Sequence, residues 1–487
     1  MTDHTVSPDH PGGFSRRDFL SSSFNGFGAL ALGGALTADL RADVRVNPLE
    51  VRLPHIQRKA KHCIFMFFGG GVSQMDSFEY KPVLNKLHGK PLSRIPEISG
   101  ELQGRLSFPH ATVGSPFKFQ RYGESGKHIS DRFPHIAKHV DDLAFIHGIK
   151  TDNQNHGPST LHVTTGDQFP GSPSVGSWVS YGLGSPNQDM PSYVVIQDPR
   201  GAPTNGAAVW SNGYLPAAYQ GTLLRPKGVP ILNLQRPAGV SATQQRKEFD
   251  ALRWLNRKHL EGKYDTELEA RISAYELAFR MQMEAPEIVD ISREKESTRE
   301  LYGLDQGHTA GFGRQCLLAR RLVERGVRYV QLWHGNGQPW DSHDDLEVNH
   351  RRLAKQSDRA IGALLIDLKQ RGMLDDTLVI WGGEFGRTPV VEMPKPGSNA
   401  GKINGRDHNH WGFTMWLAGG GVKGGHVHGA TDEFGFKAVK DAVHVHDLHA
   451  TILHLLGFDH ERLTYRFAGR DFRLTDVHGN VVTDIIA

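Results

Sequence analysis

The side chains best suited to chemistry lie between positions 377 and 412, beside one apolar segment. Residues 377–381 are apolar or β-branched and carry no charge, which predicts a buried strand. Two polar clusters follow this segment, and their ionisable members are Glu384, Arg387, Arg406, Asp407, His408 and His410. Open α/β sheets bind ligands beyond the carboxyl ends of their strands, so this placement predicts a functional site rather than solvated surface charge.

Two further predicted strands also end beside acidic or imidazole groups. The apolar run 61–68 leads into a glycine-rich turn that presents Asp76, although an aspartate there could instead cap a turn or a helix. The run 327–333 is followed by Asp341 and His343. Because the strands of such a sheet end at a common edge, we expect these side chains to meet despite their distance in sequence.

A compact helix is predicted between residues 155 and 166. Pro158 near its start and Gly166 at its end are the expected boundary residues, and Ser159 and Thr160 are polar members of its first turn. His156 precedes them and would face the positive end of the helix, where anions bind readily. This segment is therefore a second candidate for the site.

The mixture of aspartate, glutamate and histidine in these positions indicates a metal centre. Such a set suits zinc, manganese or iron, whereas carboxylates alone would indicate calcium or magnesium. Two clusters could hold two ions about 3.5–4 Å apart, an arrangement that clamps the attacking and leaving oxygens of a phosphoryl or sulfuryl group. We expect one or two divalent ions, and the sequence leaves zinc, manganese, iron and calcium open.

Composition narrows the class of protein. At 487 residues, with 38% hydrophobic and 22% charged residues, the chain can bury a large core. A net charge of +3, spread evenly, argues against nucleic acid as a partner. The two cysteines, Cys63 and Cys316, exclude a disulfide framework and a cysteine-based zinc site. Histidine is abundant, with 27 residues, which favours metal binding.

The N-terminus has the pattern of an export signal. Residues 15–20 form a twin-arginine motif, and the weakly apolar run 24–38 that follows is too short and too mild to span a bilayer stably. The alternative is a disordered tail with a chance arginine pair. We interpret residues 1–43 as a twin-arginine signal peptide and linker, and expect a periplasmic or extracellular protein with no stable membrane span after cleavage.

The rest of the chain alternates between helix and strand signals, which is typical of an α/β fold. Strands are predicted at 142–149 and 411–417, and helices at 314–325, 346–371 and 445–457, the last with Asp447 as its N-cap. Residues 171–310 are first loop-rich and then helical and charged, so we interpret them as an insertion beside the core. The predicted domain covers 50–487.

Several motifs together resemble one known family. GGGVSQMDSFEYKP, WDSH, WGGEFGRTP, GRDHNHWGFTMWLAGGGVKGG and HVHDLHATILHLLGFD look like those of the domain of unknown function 1501 family. Members are twin-arginine-exported bacterial proteins of the planctomycete type, related to the alkaline phosphatase and sulfatase superfamily. The resemblance covers 50–487. It implies a three-layer α/β/α sandwich around a mostly parallel central sheet, as in alkaline phosphatase.

The resemblance also implies roles for individual residues. Asp76 is similar to the carboxylate after the superfamily's first strand, and Asp341 and His343 to the Asp/His pair of one metal, completed by His408 or His410. Glu384 stands where the superfamily has an aspartate followed by histidine or asparagine. Phenylalanine follows here, so the second metal site lacks a ligand. Asp407 belongs to the same candidate ligand set.

Residues 156–166 are similar in spacing to the sulfatase signature, which begins with a nucleophilic cysteine. Here His156 takes the cysteine position and Thr160 the arginine position, so formylglycine chemistry is excluded. His156 could attack as a nucleophile, bind metal or be a remnant, and Ser159 or Thr160 are the alternative nucleophiles. Arg387 and Arg406 are candidates to bind an oxyanion in bidentate fashion or to brace loops.

Two functions are consistent with these residues. The first is an exported, metal-dependent hydrolase of phosphate or sulfate esters, acting on a small anionic ester such as a sulfated or phosphorylated glycan. The second is a catalytically degenerate superfamily member that binds an anionic ligand or a protein in the same cleft. The retained acids and histidines favour the first function, and the missing cysteine and the phenylalanine after Glu384 favour the second.

Overall fold

The structure is a computed structural model, and it describes residues 47–95, 109–225, 239–260, 266–396 and 401–487. The predicted signal peptide at 1–43 lies outside these ranges. Across the described ranges, none of the helices combines the length and the apolar character needed to cross a membrane.

The strands of the described chain are short, and most of the longer ones belong to one central sheet. They are β1 (His62–Phe67), β2 (His110–Thr112), β3 (Phe119–Tyr122), β4 (Lys127–Ser130), β5 (Leu143–Lys150), β6 (Tyr193–Ile196), β7 (Thr222–Leu224), β8 (Tyr329–Trp333), β9 (Thr377–Gly382), β10 (Gly386–Arg387), β11 (Val390–Glu392), β12 (His408–Asn409), β13 (Phe413–Ala418), β14 (Val427–His428), β15 (Ala430–Thr431), β16 (Ala438–Lys440), β17 (Val443–His444), β18 (Tyr465–Phe467) and β19 (Arg470–Phe472).

The helices alternate with these strands along the chain. The α-helices are α1 (Val83–Leu87), α2 (His156–Thr165), α3 (Val175–Leu183), α4 (Ala242–Leu260), α5 (Thr266–Val289), α6 (Glu296–Leu301), α7 (Ala310–Glu324), α8 (Leu346–Gln370) and α9 (Val445–Leu455). Short 3₁₀ segments span Gln74–Asp76, Leu92–Arg94, Ile136–Asp142, Gly206–Trp210, Ala217–Tyr219, Ile291–Arg293 and Thr483–Ile485.

The central sheet is mostly parallel, as predicted. Its order is β14-β5-β13-β9-β1-β8-β6-β7, with β17 also paired to β5. From β9 to β7 the pairs are all parallel, and β13 runs antiparallel to both β9 and β5. β5 therefore runs in the same direction as β9 and β1. The carboxyl ends of β1, β5, β8 and β9 consequently lie at one edge of the sheet, where the polar segments begin.

Both faces of the sheet are covered, which explains why its central strands are apolar at almost every position. Along β1, Ile64 and Met66 pack into one core with helices α7 and α8, while Cys63, Phe65 and Phe67 pack into a second core with α2, α3 and α9. The two cores lie on opposite faces because successive strand side chains alternate. The fold is thus the predicted three-layer α/β/α sandwich.

The predicted insertion at 171–310 includes part of the sheet. β6 and β7 fall within its loop-rich half, and β6 pairs directly with β8 in the central sheet. Only the later, charged half is helical, as α4, α5 and α6. The loop-rich half therefore belongs to the sandwich. Its strands were not predicted, because a strand of only a few residues gives no strong sequence signal among so many glycines and prolines.

Most predicted elements are confirmed to within a few residues. The helix after residue 155 is α2, which begins at His156 and ends before Gly166, whose φ of +76° closes it. The prediction that Asp447 caps α9 is wrong. The N-cap is His444, whose ring accepts the backbone N–H of His446, while Asp447 accepts the backbone N–H of His444 to complete a capping box.

The difference in burial between two valines gives a test of the fold. Val379 in β9 is fully buried, whereas Val348 in α8 is 67% exposed. We expect Val379→Ala to lower the free energy of unfolding by roughly 2 kcal/mol, from two lost methyl groups and the cavity they leave. Val348→Ala is the matched control and should change it by at most about 0.5 kcal/mol. Denaturant unfolding measures both, and equal effects would contradict the fold.

Candidate metal centre

Five segments meet at the carboxyl edge of the sheet. Four of them are the loop after β1, the loop after β8, the turn after β9 and the start of α2. The fifth is the segment that contains β12, which a two-stranded ladder brings to the same edge. In that ladder β10 pairs with β12, so that Arg387 lies opposite His408. The ladder explains how a loop beginning near residue 405 reaches the end of a strand that finishes at residue 382.

Four predicted site residues form one cluster around the Asp341 carboxylate. The Nε2 atoms of His156, His343 and His408 lie 3.2, 3.2 and 3.3 Å from its oxygens. The Nε2 atoms of His343 and His408 are 3.0 Å apart. The structure therefore brings together, from separate loops and a helix, one carboxylate and three imidazoles that face a common point.

The other nitrogen of each ring, Nδ1, lies against an acceptor from another part of the chain. The pairs are His156 with Glu384 Oε1 at 2.6 Å, His343 with Asp407 Oδ1 at 2.9 Å, and His408 with the backbone oxygen of Gln154 at 2.7 Å. Such acceptors hold a ring proton on Nδ1, so that Nε2 is the nitrogen that could bind an ion. Metal-binding histidines are characteristically held in this way.

The spacing fits a single ion. Ligands about 2.0–2.1 Å from an ion in tetrahedral or octahedral geometry are about 3.0–3.4 Å from one another, and the measured Nε2 and oxygen separations of 3.0–3.3 Å match. His156 Nε2 is buried and makes no hydrogen bond of good geometry with any described group. A cation would satisfy this orphaned nitrogen.

The electrostatics also prepare the cluster for a cation. Burial alone would raise the pKa of the Asp341 carboxyl, but contacts with the three imidazoles and the charge of Arg387 hold it well below its usual range. Burial lowers the pKa of His408. Burial would also lower the pKa values of His156 and His343, but contacts with Asp341 and with Glu384 or Asp407 raise both, that of His343 to about 9, so a bound cation would replace protons on these rings. The carboxylate is thus charged throughout the physiological pH range.

Arg387 fixes the cluster rather than facing a ligand. Its guanidinium is fully buried and donates to the backbone oxygens of Gly70, Gly71 and Arg406. It also donates to Asp341 Oδ1 at 2.6 Å. With these acceptors around it, Arg387 orients Asp341 and braces the loop after β1, which corresponds to the loop-bracing alternative.

Asp76 and Arg406 form a separate buried pair. Arg406 Nε donates to Asp76 Oδ2 at 2.7 Å, and Ser73 Oγ donates to the same oxygen at 2.5 Å. Both side chains of the ion pair are inaccessible to solvent. The structure therefore does not bring Asp76 into the imidazole cluster or Arg406 towards solvent. They tie the loop after β1 to the loop before β12.

The remaining candidates surround the cluster. Asp407 supports the ring of His343, as described above. His410 lies against Trp411, with ring centroids 4.1 Å apart, and it is His408 that faces Asp341. Ser159 and Thr160 are buried in α2, and Ser159 Oγ donates to the backbone oxygen of Asn153 at 2.6 Å. Neither hydroxyl is presented to the carboxylate by a described contact.

Phe385 occupies one flank of the cluster. Its buried ring lies 4.7 Å from the ring of His156 and 4.8 Å from that of His408, measured between centroids. The described residues include three groups that could hold an ion, and His156, Asp341 and His408 are the one at this edge. The phenyl ring thus packs against two of the three members of this group.

Three supporting groups were not anticipated from the sequence. They are the backbone oxygen of Gln154, the backbone N–H of Gly70, which donates to Glu384 Oε1 at 2.7 Å, and His110, whose Nε2 is 3.0 Å from Asp407 Oδ2. Backbone groups carry no sequence signal. His110 lies in β2, outside the central sheet, so the strand-end rule gave no reason to select it.

These features define a class, an α/β sandwich protein with a histidine–carboxylate centre at the carboxyl edge of its sheet. The chain belongs to the family described as "Protein of unknown function (DUF1501)", whose model matches residues 60–486. A comparison with curated proteins found no match.

Solved structures with a similar arrangement come from several bacteria. The lipoteichoic acid synthase LtaP of Listeria monocytogenes is 11% identical, with 85% of this chain and 77% of that chain covered and a TM-score of 0.34. The PsFucS1 sulfatase from Pseudoalteromonas sp. is 12% identical, covering 90% and 73%, with a TM-score of 0.34. The phosphonate monoester hydrolase SpPMH from Silicibacter pomeroyi is 13% identical, covering 67% and 68%, with a TM-score of 0.32. Similarity at this level carries no activity over to this chain.

The buried Asp76–Arg406 pair gives a prediction that separates support from metal binding. Asp76→Asn leaves the Arg406 guanidinium buried without a counter-ion, so we expect the free energy of unfolding to fall by about 3–5 kcal/mol. Asp376→Asn is the control, since it removes the exposed partner of Lys61 at 2.7 Å and should cost at most about 1 kcal/mol. Denaturant unfolding measures both. Loss of bound metal from folded Asp76→Asn protein would contradict this assignment.

Proposed function

We propose that this protein is an exported, metal-dependent hydrolase of phosphate or sulfate esters. The observation that carries the proposal is the convergence of three Nε2 atoms on the Asp341 carboxylate, each ring held from behind through Nδ1. A structural histidine needs only one or two partners of any kind. Three rings whose Nδ1 atoms each contact an acceptor and whose Nε2 atoms face one carboxylate are an arrangement suited to a cation.

His156, Asp341 and His408 would hold one divalent ion, with His343 Nε2 beside Asp341 and His408. An ion there would polarise the ester and lower the pKa of a bound water. Glu384, Asp407 and the Gln154 carbonyl keep the imidazole rings oriented, and Arg387 keeps Asp341 oriented. The mixed nitrogen and oxygen donors favour zinc, manganese or iron over calcium.

Access to the cluster is one-sided. The side chains of His343, His408 and Asp341 are 21%, 20% and 24% exposed, whereas His156 and Glu384 are buried. A substrate would therefore approach from the side of His343 and His408. The first residue of α2 is His156, so the positive end of that helix also faces the cluster, which favours an anionic ester such as a phosphorylated or sulfated glycan.

Among the nucleophiles considered, water fits the contacts best. His156 is held by Glu384 through Nδ1 and faces Asp341 through Nε2, so both ring nitrogens already have a role. Ser159 Oγ donates to the backbone oxygen of Asn153 in the loop before α2, and Thr160 is buried beside Ser159. We therefore assign His156 as a metal ligand. The nucleophile would be a water molecule on the exposed side of the cluster.

A second function is favoured by Phe385. Its ring packs against His156 and His408, and by the superfamily resemblance it stands where a second ion would need a ligand. A protein of this kind could bind an anionic ligand or a partner protein through a single ion without turning it over. Binding of phosphate or sulfate without hydrolysis of either class of ester would favour this alternative.

Removing the central carboxylate tests the proposed function. We expect Asp341→Asn to abolish tight metal binding and hydrolysis of p-nitrophenyl phosphate or p-nitrophenyl sulfate. Glu384→Gln, which acts through the His156 ring, should weaken metal binding by about 10–100-fold. Elemental analysis and the two chromogenic assays measure these effects. His454→Gln in the last turn of α9 is the control. Metal-free wild-type protein, or activity kept by Asp341→Asn, would overturn the proposal.

Export rests on the twin-arginine motif and has its own test. Replacing both arginines, Arg16→Lys and Arg17→Lys, should leave the full-length chain in the cytoplasm, because the twin-arginine route depends on that pair. Cell fractionation with an antibody to the protein measures its location. Substitution of Arg41 and Arg45 by lysine, beyond the apolar run, is the control and should leave export unchanged. Equal export of both variants would contradict the assignment.

A further inference from the structure

A second histidine cluster lies further along α2, and the proposed hydrolase does not use it. We define it as Asp152, His162, His444 and His446. His162 is six residues after His156, about 9 Å further along the helix. Asp152 lies in the loop between β5 and α2, while His444 and His446 lie at the start of α9. Three segments of the chain thus contribute imidazole or carboxylate groups to one place.

The donor atoms of this cluster are close together. The Nε2 atoms of His162 and His446 are 3.5 Å apart, and His162 Nε2 is 4.0 Å from Asp152 Oδ2. His444 Nε2 is 3.1 Å from the other oxygen, Asp152 Oδ1. Asp152, His162 and His444 are one of the groups of the described chain that could hold an ion, and His446 lies against His162; the separations around His162 Nε2 are slightly wider than those around a bound zinc ion.

The hydrogen bonds indicate which atoms are free to bind. His444 Nδ1 accepts the backbone N–H of His446 in the capping box of α9, so its proton is on Nε2 and is donated to Asp152. His162 Nδ1 contacts Thr151 Oγ1 at 2.8 Å, which accounts for that side of its ring. The remaining donors are His162 Nε2, His446 Nε2 and Asp152 Oδ2.

Burial makes this arrangement costly without a ligand. His162 and His446 are 2% and 5% exposed, so their two Nε2 atoms face each other away from solvent. Two buried rings whose Nε2 atoms face each other beside a carboxylate suit a cation.

We propose that Asp152, His162 and His446 bind a second divalent ion of the zinc class, with water as the remaining ligand and His444 orienting the Asp152 carboxylate. Two imidazoles and one carboxylate are a donor set typical of zinc. This ion would fasten the β5–α2 loop and α2 to the first turn of α9. It would thereby stabilise the helix that begins with His156.

This second site is separable from the candidate metal centre. It shares no ligand with the Asp341 cluster, so its occupancy does not depend on the proposed hydrolase activity. A third group, His426, His428 and Asp484, lies partly exposed, with His426 Nε2 and His428 Nδ1 2.7 and 3.1 Å from one aspartate oxygen. The experiment must therefore distinguish three possible ions on the same chain.

The test is zinc titration of the chelator-treated full-length protein, with bound zinc measured by elemental analysis after dialysis. We expect Asp152→Asn and His446→Gln each to bind one equivalent of zinc less than wild type. Their zinc affinity should fall by more than about 100-fold, because replacing a ligand lowers metal affinity more than replacing a residue that only supports a ligand. Asp341→Asn should lose a different equivalent, so that the double variant Asp152→Asn, Asp341→Asn loses two.

Two controls keep the result interpretable. His428→Gln reports any zinc held at the exposed group and should leave the difference between wild type and Asp152→Asn unchanged. Asp152→Asn is isosteric at an exposed position and can still accept from His444, so it tests the site even if His446→Gln unfolds. Zinc should also raise the melting temperature of wild type more than that of Asp152→Asn. Equal zinc content in wild type and Asp152→Asn would overturn the proposal.

Discussion

The arrangement at the carboxyl edge depends on one buried guanidinium. Arg387 donates to backbone oxygens of Gly70, Gly71 and Arg406 and to the Asp341 carboxylate. A buried charge is tolerated only when it is paired and hydrogen-bonded, so these loops must meet for the fold to be stable. The same contacts set the position of Asp341. The geometry of the cluster is therefore fixed by the folding of the protein, before any ion binds.

Much of this site could be predicted from the sequence because strand ends are strong signals. β1, β8 and β9 are apolar at almost every position, and each is followed within about ten residues by glycine and by ionisable groups. Parallel strands place such residues at one edge, which is why Asp341, His343, Glu384 and His408 could be selected together. His156 could be added because a proline and a glycine mark the two ends of its helix.

Some roles could not be predicted, because they depend on which distant residues the fold brings into contact. Asp76 follows β1 as a ligand would, yet it pairs with Arg406, and nothing local distinguishes a buried ion pair from an open carboxylate. His408 and His410 are also equivalent in sequence. The β10–β12 ladder decides between them, because it places His408 opposite Arg387. The short strands β6 and β7 were hidden among loop residues for the same reason, since only their neighbours in the sheet make them strands.

The contacts of Glu384, on the buried side of the cluster, support the proposal that the cluster binds an ion. Glu384 Oε1 accepts from Gly70 and contacts His156 Nδ1, but Oε2 is buried with no hydrogen-bond partner among the described residues. An unpaired buried carboxylate oxygen costs about 1–3 kcal/mol or more. A glutamine oxygen could also accept from Gly70, but a carboxylate strengthens the basicity of the His156 ring towards a cation more than an amide does. The ion proposed at His156 Nε2 would therefore give this costly oxygen a role on the other side of the imidazole.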